Sequence, residues 1–165
     1  MIIISTLLTL IFVLFEPLNV KKQSFIDIPM FELKAFELYE INKIGLDSKI
    51  LGTQAKRYTN RYEVSNIDYT DNTQEYIVNL RANEGIYKGD IVNLKGNVVY
   101  TREDGLIFKS EIAVYNKQTS VVSTKTKYHA YNENNTIVGS SLKYNNLLNK
   151  IESKNVTSIY QLREN

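Results

Sequence analysis

From about residue 50 onward, apolar and polar side chains alternate with a period of two, the spacing of a strand covered on one face. Tyr76, Val78, Leu80 and Ala82 fall on one parity, with Asn79 and Arg81 on the other. Val92, Leu94, Gly96, Val98 and Tyr100 repeat the pattern against Asn93, Lys95, Asn97 and Thr101. A third run sets Leu106, Phe108, Ser110, Ile112 and Val114 on one face, against Lys109, Glu111 and Ala113. Val, Ile, Thr and Tyr are plentiful, as pleated surfaces favour. Turn-prone pairs separate the runs, among them Thr59-Asn60, Lys88-Gly89, Asp104-Gly105 and Asn116-Lys117. Asp-Gly between alternating runs is a strong hairpin signal. The pattern predicts an all-β domain of repeated antiparallel hairpins.

A longer period overlies the short one. Tyr58, Tyr87, Tyr115 and Tyr144 stand 29, 28 and 29 residues apart. Each ends an alternating run, precedes two turn-prone residues, and is followed by a second apolar stretch: 62–64, 91–94, 121–123 and 147–151. The predicted unit is a strand, a tight turn and a returning strand, stacked about four times. Stacking buries an apolar face that one unit alone leaves in water.

Two segments read less simply. In residues 31–39, Phe31, Leu33 and Ala35 alternate, and then the phase shifts to Phe36 and Leu38. A first strand carrying a bulge accounts for the shift, with a short helix as the rival. The opening run, Met1 to Phe15, has no charge, Pro or Gly. As a helix it would span roughly 22 Å, against a hydrocarbon core of about 30 Å. No small-x-small cleavage site follows it, so an uncleaved anchor over residues 1–20 is favoured over a signal peptide or a core helix. A linker over 21–28 and a β domain over 29–165 complete the division. Lys21 and Lys22 follow the apolar run and none precedes it, which by the positive-inside rule places the domain in the cytoplasm.

Charge and composition exclude several chemistries. Twenty basic and eighteen acidic side chains are interspersed, giving a formal +2 with no basic stripe, so nucleic acid is not an expected partner. There is no Cys, and His129 is the only histidine, with no carboxylate at ligand spacing. No nucleophile-elbow or phosphate-loop motif is present. No cofactor, metal site or catalytic residue is expected.

Several stretches, taken in order, resemble the LptC family of lipopolysaccharide-export proteins. They are the N-terminal apolar run, Ile28-Pro29-Met30-Phe31, Phe36-Glu37-Leu38-Tyr39 and the Gly45-Leu46 turn. Further on stand Ala55-Lys56-Arg57-Tyr58, Ala82-Asn83-Glu84-Gly85-Ile86-Tyr87 and Leu94-Lys95-Gly96-Asn97-Val98. Phe108-Lys109-Ser110-Glu111, Tyr115-Asn116 and Val138-Gly139-Ser140-Ser141-Leu142-Lys143-Tyr144 complete the set. The resemblance runs from the apolar run to about Leu162, and resides in order and spacing, with no catalytic-grade motif. LptA and the N-terminal domain of LptD are similar, and the apolar N-terminus favours LptC among the three.

The resemblance implies an open, twisted β-jellyroll, single-pass in the bacterial inner membrane, with its bulk in the periplasm against the lysine signal. It implies lipopolysaccharide as ligand, received from the LptF–LptG transporter with its ATPase and handed to an LptA-like periplasmic bridge, with no enzymatic step. A lipid conduit needs an apolar groove, for which the alternation offers Tyr76, Val78, Leu80, Val92, Leu94, Val98, Leu106, Phe108, Ile112 and Val114. The same residues also suit an ordinary filled sandwich core, and with it a structural or adhesive repeat protein that binds no lipid. A carbohydrate hydrolase would instead need facing carboxylates that the alternation does not offer. Docking of neighbouring jellyrolls would use the first and last strands, with Phe31, Leu33 and Ile159 as candidates. Gly139 matches a family glycine and is a further candidate, through a bulge or close backbone approach.

Because the β body carries its own core in this reading, removal of residues 1–15 is expected to leave a soluble domain. A cooperative thermal transition with a β-type circular dichroism spectrum is the expected outcome. Insoluble or unfolded product would make the segment part of the core.

Overall fold

The computed structural model describes residues 27–43, 45–73, 75–133 and 135–161. The predicted anchor, and all but the end of the predicted linker, lie outside the described residues. Within them all regular structure is β, and no helix is long and apolar enough to cross a membrane. Residues 31–39, ambiguous in sequence, are strand.

Six long strands come first: β1 (Phe31–Ile41), β2 (Leu46–Arg57), β3 (Tyr62–Asp71), β4 (Val78–Lys88), β5 (Ile91–Arg102) and β6 (Ile107–Asn116). Each pairs antiparallel with the next. Short strands follow: β7 (Val121–Thr124), β8 (Tyr128–Asn132), β9 (Asn135–Gly139), β10 (Ser141–Asn145), β11 (Lys150–Lys154) and β12 (Thr157–Ile159). Beyond β6 the sheet forks. The C-terminal half of β6 pairs with β7, which continues through β10 to β11. The N-terminal half of β6 pairs with β8, which continues through β9 to β12. One sheet thus becomes two arms joined along a crease that crosses the middle of every long strand.

Backbone chemistry sets the crease. Ala35, Asn66 and Asn97 lie in the left-handed region, at φ of 47°, 50° and 49°, and Gly96 beside Asn97 lies at 76°. In β5 the register confirms the interruption: Lys95 pairs with Ile112 and Val98 with Ser110, so Gly96 and Asn97 face the single Glu111. Such a bulge bends a strand and sharpens its twist. Asn accepts the left-handed conformation because its short polar side chain bonds locally; the Asn66 amide donates to the Thr53 hydroxyl at 3.0 Å.

The crease also reverses side-chain parity on every long strand but β5, where the extra residue of the bulge keeps the even positions inward. The buried side chains on the strands are Phe36, Ala82, Leu94, Val98, Ser110, Ala113, Thr124 and Tyr128. Read through the register, all of these fall on one face of the sheet. On β1 that face carries Phe31 and Leu33 before the crease, then Phe36 and Leu38 after it. On β6 it carries Phe108 and Ser110, then Ala113 and Tyr115. The core proper is small: Ala82 and Val98 from one arm pack with Leu94 and Ala113 from the other, flanked by Ile67, Leu80 and Val92. At the fork, the buried hydroxyls of Ser110 and Thr124 share a hydrogen bond of 3.1 Å, and Thr126 bonds both at 3.0 and 2.9 Å. No buried side-chain polar atom among the described residues lacks a partner.

A Cβ on Gly96 would sit 2.6 Å from the Asn83 amide nitrogen, at a φ that L side chains rarely adopt. Gly96→Ala is therefore expected to lower the urea midpoint, at a cost of about 1 to 3 kcal/mol. Ala35→Asn, which suits the conformation Ala35 now holds, should raise the midpoint through a stability gain of up to about 1 kcal/mol. Equal midpoints for Gly96→Ala and wild type would show that the bend does not rest on this residue.

Candidate functional site

The first arm is the half bounded by β1 and β11, and its inner face is a ladder of rungs. The rung farthest from the crease runs Phe31, Arg57, Tyr62, Tyr87, Val92, Tyr115, Val122, Tyr144 and Ile151, each opposite the next in register. Three tyrosines of the long repeat, Tyr87, Tyr115 and Tyr144, therefore stand on alternate strands of one row. Tyr58 lies just past β2, one position outside the row, where the Arg61 guanidinium covers its ring at 3.8 Å. The expected fourth returning strand begins late: Leu147 and Leu148 are exposed in the turn before β11. The next rung inward is smaller in volume, with Ala55, Gly85 and Ala113 set among Leu33, Val64 and Leu94.

The second arm presents Leu38, Ile50, Tyr69, Leu80, Tyr100, Phe108, Ala130 and Ile137 as its middle rung. Burial raises the phenol pKa of both Tyr69 and Tyr100, so each stays neutral at physiological pH and the rung carries no charge. Between this rung and the crease, two aromatic rings lie over glycines. A Cβ on Gly52 would meet the Phe36 ring at 2.7 Å, and one on Gly139 would meet the Tyr128 ring at 2.5 Å. Tyr128 also stacks on Phe108 at 5.6 Å and shares a 2.9 Å hydrogen bond with Ser153 of β11, tying the two arms together.

Beyond the crease the inward side chains are not fully covered. Leu80, Val92, Tyr100, Phe108 and Ile137 are only half-buried although they face inward, and Leu38 is 51% exposed. A domain with a filled core packs such side chains to crystal-like density. The inner faces instead form an apolar trough whose floor is the crease. Among the described residues its margins are unpaired: β1 bonds only β2, β11 only β10 and β12 only β9.

The candidate groove residues separate on this geometry. Val78, Leu80, Val92 and Phe108 line the trough. Leu94 and Val98 are on the same face at 4% and 1% exposure, so they form its floor and not its wall. Leu106 immediately precedes β6, and its carbonyl accepts from the Arg102 amide at 2.8 Å. Tyr76 lies before β4, with the Arg102 guanidinium 5.4 Å from its ring. The expectation that Ile112 and Val114 share the face of Phe108 is corrected. They pair with Lys95 and Asn93 on the outer side, because parity reverses between Ser110 and Ala113. Tyr100 fell on the alternating apolar face of β5 but was not among the candidates; strict alternation missed Tyr69, Ala113 and Tyr115, and for the last two a phase shift like that in β1 was the signal.

Of the docking candidates, Phe31 and Leu33 lie on the free edge strand β1 and Ile159 on the free edge strand β12. Gly139 lies at no edge: it is buried under the Tyr128 ring, a close approach within the fold. His129 faces outward, opposite Lys109.

A folded-over antiparallel sheet with an open apolar interior and free margins defines the class, an open β-jellyroll. Residues 1–161 match the family described as Lipopolysaccharide-assembly, LptC-related, and the chain belongs to that family. In fold it is similar to the crystal structure of LptH, the LptA-homologous periplasmic component of the lipopolysaccharide transport device of Pseudomonas aeruginosa. That likeness has a TM-score of 0.53 at 12% identity, over 80% of this chain and 94% of that one. No curated protein matches the sequence.

Gly139→Ala is expected to cost about 1 to 3 kcal/mol by overpacking against Tyr128. Tyr128→Phe should cost about 1 kcal/mol through the lost bond to Ser153. In a double-mutant cycle, Gly139→Ala combined with Tyr128→Ala should fall short of additivity by about 1 kcal/mol. Strict additivity in urea melts would remove the packing role assigned to Gly139.

Proposed function

We propose that the chain is a lipopolysaccharide carrier that holds acyl chains between its two arms and does no covalent chemistry. It receives lipid from an LptF–LptG transporter with its ATPase and passes it to an LptA-like periplasmic bridge. The apolar N-terminal run holds it to the inner membrane, with the jellyroll in the periplasm. The observation that carries the reading is the trough itself: inward-facing apolar side chains, continuous in register across both arms, that the fold leaves half-covered. Each methylene that leaves water for such a surface contributes about 0.8 kcal/mol. Membership of the LptC-related family supplies the identity of the lipid.

The free margins serve as joints in this reading. An unpaired edge normally invites aggregation, and an incoming jellyroll that adds its own edge strand continues both the sheet and the trough. Phe31 and Leu33 on β1 face the transporter side, and Ile159 on β12 the bridge side.

A photo-crosslinking residue at Leu80 or Phe108 is expected to capture lipopolysaccharide in cells, while the same residue at Lys109, on the outer face, captures little. Capture only from Lys109 would reject the conduit.

A further inference from the structure

The trough has two lips, where the hairpin turns of each arm meet solvent, and they differ in charge. The second-arm lip is acidic. Glu40 and Asp71 lie on its inner face, with Ser48 between them donating to the Glu40 carboxylate at 3.1 Å. Asp47, Glu103 and Asp104 stand in or beside its turns. The inner-face cation there, Arg102, is occupied: its guanidinium donates to both oxygens of Asp104, at 2.8 and 2.6 Å.

The first-arm lip is the opposite. Tyr62 and Tyr87 stack on its inner face with ring centroids 6.1 Å apart. A cation covers each ring: Arg57 lies 5.4 Å from the Tyr62 centroid, and the Lys117 ammonium 4.4 Å from that of Tyr87. Arg61, in the same lip, is held by Asp27 and Glu63. Among the described residues, the ion pairs give neither Arg57 nor Lys117 a carboxylate. Two uncompensated cations, steadied on tyrosine faces, thus overhang the apolar trough on one side only.

We infer that Arg57 and Lys117 bind the phosphate groups of a lipid whose acyl chains lie in the trough, and so fix which way round it sits. The inference rests on the lipid-carrier reading above and adds the orientation and the residues that set it. Arg and Lys are the side chains that recognise phosphate, Arg by a fork of donors and Lys as a point charge. The carboxylates of the other lip repel the same group, so the headgroup has one favourable side.

The test uses the full chain in nanodiscs of zwitterionic lipid. The probes are the lipid anchor of lipopolysaccharide with its phosphates and the same anchor dephosphorylated. Wild type should prefer the phosphorylated form by about tenfold, about 1.4 kcal/mol. The Arg57→Gln/Lys117→Gln variant should lose that preference while binding the dephosphorylated form as wild type does, which also shows that it is folded. Lys109→Gln, on the outer face, should change neither affinity. A wild type indifferent to phosphate, or a double variant that keeps its preference, overturns the lip assignment and leaves the trough standing. Binding of neither lipid to wild type overturns both.

Discussion

The structure depends on one bend shared by the six long strands, marked by left-handed residues on β1, β3 and β5, that reverses side-chain parity on every long strand except β5. Without it, a strand of about eleven residues would present one apolar and one polar face along its whole length. With it, the inward face is apolar on both sides of the bend, though on every long strand but β5 the residues responsible change parity. On β4 the inner residues are Val78, Leu80 and Ala82 before the crease, and Gly85 and Tyr87 after it. A sheet bent in this way covers its own apolar surface only near the bend. That is where the small, fully packed cluster of Ala82, Leu94, Val98 and Ala113 lies.

The distribution of side-chain size follows from the same geometry. Near the crease the two arms are close, and the inner residues are small or sit under a neighbour's ring, as Gly52 does under Phe36 and Gly139 under Tyr128. Farther out the inner faces carry tyrosines that remain only partly covered. Burying the Val98 side chain contributes about 1.5 to 3 kcal/mol. The half-exposed outer rungs contribute less than they would in a closed sandwich. Stability therefore concentrates along the crease and in the continuous backbone ladder. The outer trough is left as surface that the fold does not need to cover for itself, which is the condition for a transport protein to exchange its cargo.

Much of this was legible in the residues. The β class, the hairpin at Asp104-Gly105, the strand assignment of residues 31–39 and the two-strand period behind Tyr87, Tyr115 and Tyr144 all follow from alternation and turn chemistry. The parity reversal was legible only in β1, where Phe31 and Leu33 give way to Phe36 and Leu38 with no ambiguity of character. In β6 it was hidden, because Ile112 and Val114 continue the apolar phase of Phe108 while the true inner residue, Ala113, is too small to register as apolar. The outward placement of Ile112 and Val114 beside Lys95 and Asn93 has no sequence signature of its own. Gly139 matched the family in sequence, yet its partner Tyr128 lies eleven residues earlier, and only the pairing of β8 with β9 brings them together.

Trough and lips impose different physical demands on a lipid, and the difference bears on transport. Apolar burial is non-directional and proportional to area. Acyl chains lying against rung after rung of similar character would meet little change in energy on moving along the crease. Such a surface holds a lipid without fixing its position. It also leaves the lipid free to lie with its headgroup on either side, which a handover between successive jellyrolls cannot tolerate if their grooves are to remain in line. In the proposed reading, exposed cations over tyrosine rings supply the missing orientation at low strength. Charges in contact with water are screened beyond about 8 Å at physiological ionic strength, so they can select a side without trapping the headgroup. A buried cation would orient more firmly and release more slowly. The placement of Arg57 and Lys117 at the exposed lip, and of paired Arg102 at the other, is the arrangement that the proposed carrier role calls for and that storage would not.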